Sequence, residues 1–324
     1  MQYTYTHTKK ITTLLADIER AKILITELPV SQSLEEKLRR VSLLKSSLFS
    51  ARIEGNTLSM REVQMGLTGK ERQKREIQNI LQAIHFIRSS HCPHHISIPL
   101  VKKLHTRVMN ELSADAGRFR TEPSAIFNSA GVAVYMTVPP QEIKQRMEDL
   151  INGIKKKSFP IPIMGALAHY EFEKIHPFLD GNGRVGRLVS QFILEKGGYG
   201  CKGLVSFEEY FEQTKTDYYD LLGLRQKNIT LFVQYFLEAL VQTAETVIDQ
   251  LKQIPGDMDD LLLPRRQEIL ATIRDHRQVS FDFIRRRFMA VTVSTIHYDI
   301  QQLLKSGLIK KLGKTRASVY TSLS

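Results

Sequence analysis

The chain has 324 residues, 42% hydrophobic and 25% charged, with two cysteines, Cys92 and Cys201, and a net charge of +12. That length suits about two domains and buries a core without disulfide staples. Two cysteines exclude a disulfide framework and fit a reducing, cytoplasmic setting. No apolar run reaches the roughly 18 residues of a membrane helix, so no membrane partner is expected, and Met1–His7 lacks the apolar segment of a secretory signal. The charge is uneven. Residues 264–324 carry twelve basic against four acidic side chains, a net of +8, and a basic C-terminal piece raises nucleic acid as a partner.

In chain order, apolar periodicity predicts a helix over 11–28 that Pro29 stops. Ser31-Gln32-Ser33 followed by Glu35 and Glu36 starts a second, running to Glu54 with Gly55 as the terminating residue. Further helices are expected at about 71–89, 99–112, 142–155, 165–175, 184–195, 206–224 and 229–251. Residues 125–135 alternate around a turn and read as a small β-hairpin, closed by Pro139-Pro140. Pro255, Gly256 and three acids mark a linker. The expected divisions are N-terminal helices over 1–95, a core over 96–252, a linker over 253–263 and a C-terminal domain over 264–324. In the last, helices at 266–274, 281–288 and from Thr292 or Ser294 to about 305 precede strands at 308–312 and 318–321. That order and length resemble a winged helix-turn-helix. The fold class expected is therefore mainly α, with a small hairpin and a C-terminal winged unit.

One stretch concentrates chemistry: His176-Pro177-Phe178-Leu179-Asp180-Gly181-Asn182-Gly183-Arg184-Val185-Gly186-Arg187. Gly181 and Gly183 let backbone approach a ligand closely. Their N–H groups, followed by a helix N-terminus, form an anion site. Arg184 and Arg187 are three apart on one helix face and suit a polyphosphate. Asp180 offers the hard oxygen that Mg²⁺ prefers. His176 is the side chain whose ordinary pKa suits proton abstraction near neutrality. A bare Gly/Asn turn is usually a helix joint, but here every position has its own chemical use. The set reads as nucleotide phosphoryl or nucleotidyl transfer.

The same stretch resembles the signature of the Fic family: His, any residue, Phe, any residue, Asp or Glu, Gly-Asn-Gly-Arg, two residues, Arg. Every specified position matches. Glu76-Ile77-Gln78-Asn79, the segment from Pro99 to Leu112, Gly117-Arg118-Phe119-Arg120, Pro139-Pro140 and Ala168-His169-Tyr170 also look like that family, so the resemblance covers about residues 30–240. It implies a helical core that moves AMP from ATP to a Ser, Thr or Tyr hydroxyl of a protein and releases pyrophosphate. By position, His176 would deprotonate the hydroxyl and Asp180 would hold Mg²⁺. Gly181, Asn182 and Gly183 would nest the phosphates, and Arg184 and Arg187 would bind the outer ones. The hairpin would be a flap holding the target segment, with Ile126, Phe127, Val132 and Val134 as its contacts.

Ser50-Ala51-Arg52-Ile53-Glu54-Gly55 resembles the family's inhibitory motif, Ser or Thr, three residues, Glu, then Gly or Asn. The resemblance implies that Glu54 pairs with Arg187 and blocks productive ATP binding, with Ser50 in the same motif. The residues agree in part: a carboxylate at a helix C-terminus faces the negative end of the macrodipole and gains from a cationic partner.

Other signals carry less. His91-Cys92-Pro93-His94-His95 lacks ordinary metal-ligand spacing and reads as an exposed connection. His105 and His169 read as structural histidines, and Tyr210, Phe211, Tyr218, Tyr219, Tyr235 and Phe236 as core. Arg285-Arg286-Arg287 suits either a phosphate backbone or a solvated helix face. Two alternatives stand beside AMP transfer: a DNA-binding regulator that uses the Fic fold as sensor, and AMP removal with Glu54 positioning water. Self-modification and a homodimer are left open.

Overall fold

A computed structural model describes residues 2–28, 32–65, 70–127, 133–156, 158–252, 262–289, 291–313 and 318–322. Two units form: residues 1–30 with 35–252, and residues 31–34 with 253–324.

In the first unit, Thr8 caps α1 (Lys9–Glu27) by accepting from the Ile11 N–H, and Ile11, Leu14, Ile18, Ala21 and Ile25 form its buried stripe. The spacing of three and four residues lays this stripe along α11 (Thr230–Lys252). Helix α2 (Gln32–Ile53) ends as expected at Gly55, whose φ is +99°. The Asn56 N–H reaches the Ala51 carbonyl and the Gly55 N–H that of Arg52, at 3.1 and 3.0 Å. This Schellman closure leaves Glu54 as the C-cap residue.

A short helix not expected from periodicity follows, α3 (Met60–Met65). Its signal is a capping box: Ser59 N–H donates to Glu62 Oε2 at 2.8 Å and Glu62 N–H to Ser59 Oγ at 3.2 Å. Helices α4 (Glu71–Arg88) and α5 (Ile98–Val108) come next. The segment expected to stay helical to Leu112 stops at Val108. Buried Asn79 donates to the carbonyls of Val108 and Asn110 there, at 3.1 and 2.8 Å. Strands β1 (Ala125–Phe127) and β2 (Ala133–Met136) pair antiparallel, Ala125 opposite Met136.

Helices α6 (Ile143–Lys155), α7 (Ile161–Ile175) and α8 (Asn182–Leu194) complete the first core, which α4 and α5 share. Helix α7 begins a turn earlier than expected, because Pro162 sits in its first turn, where a missing N–H costs nothing. From Pro162 to Ile175 every residue of α7 is buried, so it is the central helix of this unit. Its other side faces a second core, built with α1, α9 (Glu208–Gln213), α10 (Lys215–Gly223) and α11. The single helix expected over 206–224 breaks at Thr214. The Thr214 hydroxyl donates to the Tyr210 carbonyl at 2.7 Å, with the Tyr235 hydroxyl 2.8 Å away, and its backbone leaves helical geometry. Among the described residues no helix is long and apolar enough to cross a membrane.

The second unit holds α12 (Pro264–Asp275), β3 (Val279–Ser280), α13 (Phe281–Arg287), α14 (Val293–Lys305), β4 (Ile309–Leu312) and β5 (Val319–Ser322). Its sheet has three antiparallel strands in the order β3-β5-β4, where two were expected. The pair Val279–Ser280 is too short to register as a strand by pattern. Ile269, Ile273, Ile284, Ile296, Ile300 and Leu303 build its core. The expected linker, apart from residues 262 and 263, lies outside the described residues.

Candidate active site

The site forms where α7 ends and α8 begins. His176 is the C-cap of α7, with φ 48° and ψ 61°, the left-handed conformation that turns the chain sharply. Five residues on, Gly181 caps α8 with φ 82°, and a side chain there would meet the Met109 sulfur at 2.8 Å. The loop between them is braced by Asn182. Its amide receives the Phe178 N–H at 2.9 Å and donates to the Phe178 carbonyl at 2.8 Å. The Asn182 side chain is thus committed to its own loop, which leaves its backbone N–H for an anion.

His105, read as structural, braces the same loop from α5. Its Nδ1 accepts the Gly117 N–H at 2.7 Å, which assigns the proton to Nε2, and Nε2 donates to the Asp180 carbonyl at 2.9 Å. The ring stacks on Phe178 at 3.7 Å and 2°. Asp180 Oδ1 accepts from the Gly181 N–H at 2.5 Å and from Arg184 at 2.7 Å, and the side chain is 57% exposed.

The two arginines are held differently. Arg184 bridges Asp180 and Glu76, the latter at 2.7 Å. Glu76 also accepts from Asn56 Nδ2 at 2.9 Å, which joins the end of α2 to the anion site through α4. Arg187 is 0% exposed. Its Nε donates to Ser50 Oγ at 2.9 Å, and Nη2 donates to the Ser50 carbonyl and to Glu54 Oε1, each at 2.8 Å. Ser50 and Glu54 at the end of α2 therefore meet Arg187, more than 130 positions on. The Glu54 carboxylate lies directly over Gly183, where any β-carbon would collide with it.

Electrostatics follow from burial. Desolvation pushes His176 down to about 4, against the opposing pull of the Glu173 backbone carbonyl and Glu54, so the imidazole is neutral near pH 7. Burial would raise Glu54, but Arg187 and Arg184 overcome it and hold the carboxyl below the usual range. For Arg187 burial acts to lower and Glu54 to raise, and the raising wins. Glu173, buried on α7, is pushed up to about 8 by desolvation and then by Glu54. Its Oε2 is 3.8 Å from His176 Nδ1.

Sequence reasoning missed several partners. Tyr218, read as core, lies with its hydroxyl 2.9 Å from His169 Nε2 and 3.5 Å from Arg187 Nη1. Asn56 and Arg120 were not singled out for any role, although Asn56 immediately follows the helix-ending glycine. Of the flap residues, Ile126 and Phe127 lie on β1 and Val134 on β2, while Val132 lies outside the described residues. Cys92 is buried while His91, His94 and His95 are exposed, so the four do not converge.

The model of the Fic/DOC family matches residues 95–194 of this chain, the stretch that holds α7, the loop and α8. The chain is 26% identical over 261 residues to the protein adenylyltransferase Fic of Drosophila willistoni, covering 76% of this chain and 50% of that protein. With protein adenylyltransferase fic-1 of Caenorhabditis briggsae it shares 28% identity over 222 residues, 64% of this chain and 41% of the relative. The chain thus spans about half the length of the curated relatives it matches, or less. A Fic family protein from Desulfovibrio desulfuricans G20 has the same fold with a TM-score of 0.73 and 22% identity, covering 100% of this chain and 99% of that one. A Fic domain containing signaling protein from Bacteroides thetaiotaomicron aligns with a TM-score of 0.62 at 19% identity, covering 77% of this chain and 99% of that one.

Proposed function

We propose that this site transfers AMP from ATP to a Ser, Thr or Tyr hydroxyl of a protein and that Glu54 holds it inactive. The observation that carries the reading is the convergence of a neutral, half-buried His176 with an anion-binding helix start whose second arginine is occupied by Glu54. The names of the relatives, protein adenylyltransferases, support the same reaction.

His176 takes the proton of the target hydroxyl. That oxygen bonds to the α-phosphorus, the bond from the α-phosphorus to the bridging oxygen breaks, and pyrophosphate leaves. The N–H groups of Asn182 and Gly183 at the start of α8 hold phosphate oxygens, while the Gly181 N–H is given to Asp180. Arg184 and Arg187 stabilise the charge that builds up on the outer phosphates. Asp180 fits Mg²⁺: one of its oxygens is engaged by Gly181 and Arg184, the other is open, and the group is exposed beside the phosphate site. One or two carboxylates plus phosphate oxygens are what this ion takes, and when bound it neutralises the polyphosphate. The hairpin presents an edge to which a target segment adds as a strand. While Glu54 pairs with Arg187, the γ-phosphate of ATP has no place there.

The test uses Glu54→Gly protein with Mg²⁺ and ATP labelled at the α- or γ-phosphate, with His176→Ala as control. Label retained from α alone is expected. Label from γ alone would mean phosphorylation and overturn the reading. No label from either would move the assignment to AMP removal or another nucleotide.

A second reading concerns the C-terminal unit, for which we propose DNA binding. Helix α14 exposes Ser294, His297, Tyr298, Gln301 and Lys305, and β4 exposes Lys310 and Lys311. The one acid of α14, Asp299, is buried against Arg265 and Arg266, at 2.5 and 2.8 Å. A neutral hydrogen-bonding face beside cations is the composition that reads bases between phosphates. Duplex affinity that falls steeply with salt and drops on Lys310→Ala/Lys311→Ala would support it; no retention of duplex at low salt would sink it.

A further inference from the structure

The segment Gly117-Arg118-Phe119-Arg120 takes no part in the chemistry above, yet Arg120 is among the most heavily bonded side chains in the molecule. It is 3% exposed. Its Nε donates to the His176 carbonyl at 2.7 Å and its Nη2 reaches the Ile175 carbonyl at 3.3 Å. Its backbone N–H donates to the Pro177 carbonyl at 2.9 Å. One residue therefore holds three consecutive carbonyls at the end of α7, where a cation also suits the helix dipole.

The other donors of the same guanidinium hold both feet of the hairpin. Nη1 donates to the Glu122 carbonyl at 2.7 Å on the limb entering β1. Nη2 donates to Thr137 Oγ1 at 2.8 Å and to the Val138 carbonyl at 2.5 Å on the limb leaving β2. The Thr137 hydroxyl passes the tie on to the Ser124 carbonyl at 2.8 Å. A rigid planar fork spans these groups in a way a lysine ammonium does not.

We propose that Arg120 is a positioning residue that sets the hairpin and His176 in one register, so that a hydroxyl carried on the hairpin arrives at the imidazole. The proposal rests on the AMP-transfer reading for its chemistry and on the bonds above for the coupling. In-line attack is sensitive to alignment, and an error near 1 Å costs about 10²-fold.

The test places Arg120→Lys and Arg120→Gln in the Glu54→Gly background and reads four quantities: label transferred from α-labelled ATP, ATP affinity, melting temperature, and amide exchange over 122–138 and 175–178. The expected result is a loss in transfer rate of about 10²-fold for Gln, with KM for ATP within twofold. Lys should restore part of the rate. Exchange should rise in the hairpin feet and the His176 turn together, with α4, α5 and α6 still protected. Transfer within twofold of the parent, or only one of the two segments loosened, would overturn the proposal. So would a general loss of protection with ATP binding gone, which would mark a purely structural arginine. Should Glu54→Gly with Arg120 intact carry no label, the AMP-transfer reading fails by itself, and the joint exchange still decides whether Arg120 couples the two segments.

Discussion

Helices α7 and α8 carry the proposed chemistry and α2 the proposed brake, and the two are held by different physics. Every residue of α7 from Pro162 to Ile175 is buried, and α8 buries all but one residue from Asn182 to Leu194. Helix α2 buries Leu34, Leu43, Leu48, Phe49, Ala51 and Ile53, but also Ser42, Ser46, Ser47 and Ser50. A cleft of about 250 Å³ lined by Ser42, Lys45, Glu209, Tyr210, Gln242 and Thr246, among others, runs beside it. A leucine at each serine would add roughly 1.5–3 kcal/mol of burial. With serines there instead, α2 gains less from burial than its length would allow. A brake must be able to leave while the catalytic core stays folded, and this division permits it.

Five experiments test that contrast. His176→Ala should lower transfer by about 10²–10⁴-fold, the scale of a general base, with ATP binding retained in the Glu54→Gly background. A variant with full activity would remove His176 from the chemistry. Glu54→Gly should raise ATP affinity and labelling on the order of tens-fold, because it frees Arg187 for the outer phosphate, at about the worth of one hydrogen bond to a charged group. Its melting temperature should fall without ATP, because Arg187 loses its carboxylate, and recover with ATP. An unchanged rate would mean that α2 is no brake.

Acidity provides the third. Burial lowers His176 to about 4, so the neutral base survives well below the ordinary imidazole value of about 6.5. The acid limb of the Glu54→Gly rate profile is expected near pH 4–5; a limb near 6.5 would contradict the burial argument. The sign for stability is the same. A depressed imidazole favours the fold above its unfolded value, and that contribution is lost as pH falls from about 6.5 towards 4. The Glu54–Arg187 pair behaves alike: its contribution is present above the ordinary carboxylate value and lost only as pH falls through the depressed one. Mild acid should therefore not release the brake.

Fourth, the Ser42 hydroxyl is buried with no hydrogen-bond partner among the described residues. Ser42→Ala should tighten α2 by about 1 kcal/mol and lower basal labelling about two- to fivefold. Faster labelling would reverse the argument about the serines of α2. The smallest effect is expected from a chain ending at Gln253, which should keep the rate of the Glu54→Gly parent within about twofold. A folded but inactive product would make the C-terminal unit part of the catalytic machine.

Much of the candidate site was legible beforehand because the signature is local: His176, Asp180, the glycine loop and both arginines fall within twelve residues, and a loop between two helices cannot avoid bringing them together. Gly55 was equally legible, since only a residue at ease with positive φ closes that helix. Thr214 was not, because its hydroxyl breaks the helix by reaching Tyr235, a partner 21 residues away. His105 was read as structural, which is correct as far as it goes. That it supports the Asp180 carbonyl emerges only from a contact spanning 75 residues.

The sequence by itself determined the helical character, the helix end at Gly55 and the residues gathered in the signature loop, because periodicity, capping and motif spacing are short-range properties of the chain. Only the tertiary structure decided that Arg187 is wholly buried under Ser50 and Glu54, that Asn182 braces its loop, and that Arg120 joins the hairpin to His176. Those outcomes depend on which carbonyls and carboxylates packing brings within reach of a donor, and the order of residues does not say whether that partner is 4 positions away, as for Asn182, 56, as for Arg120 and His176, or 137, as for Arg187 and Ser50.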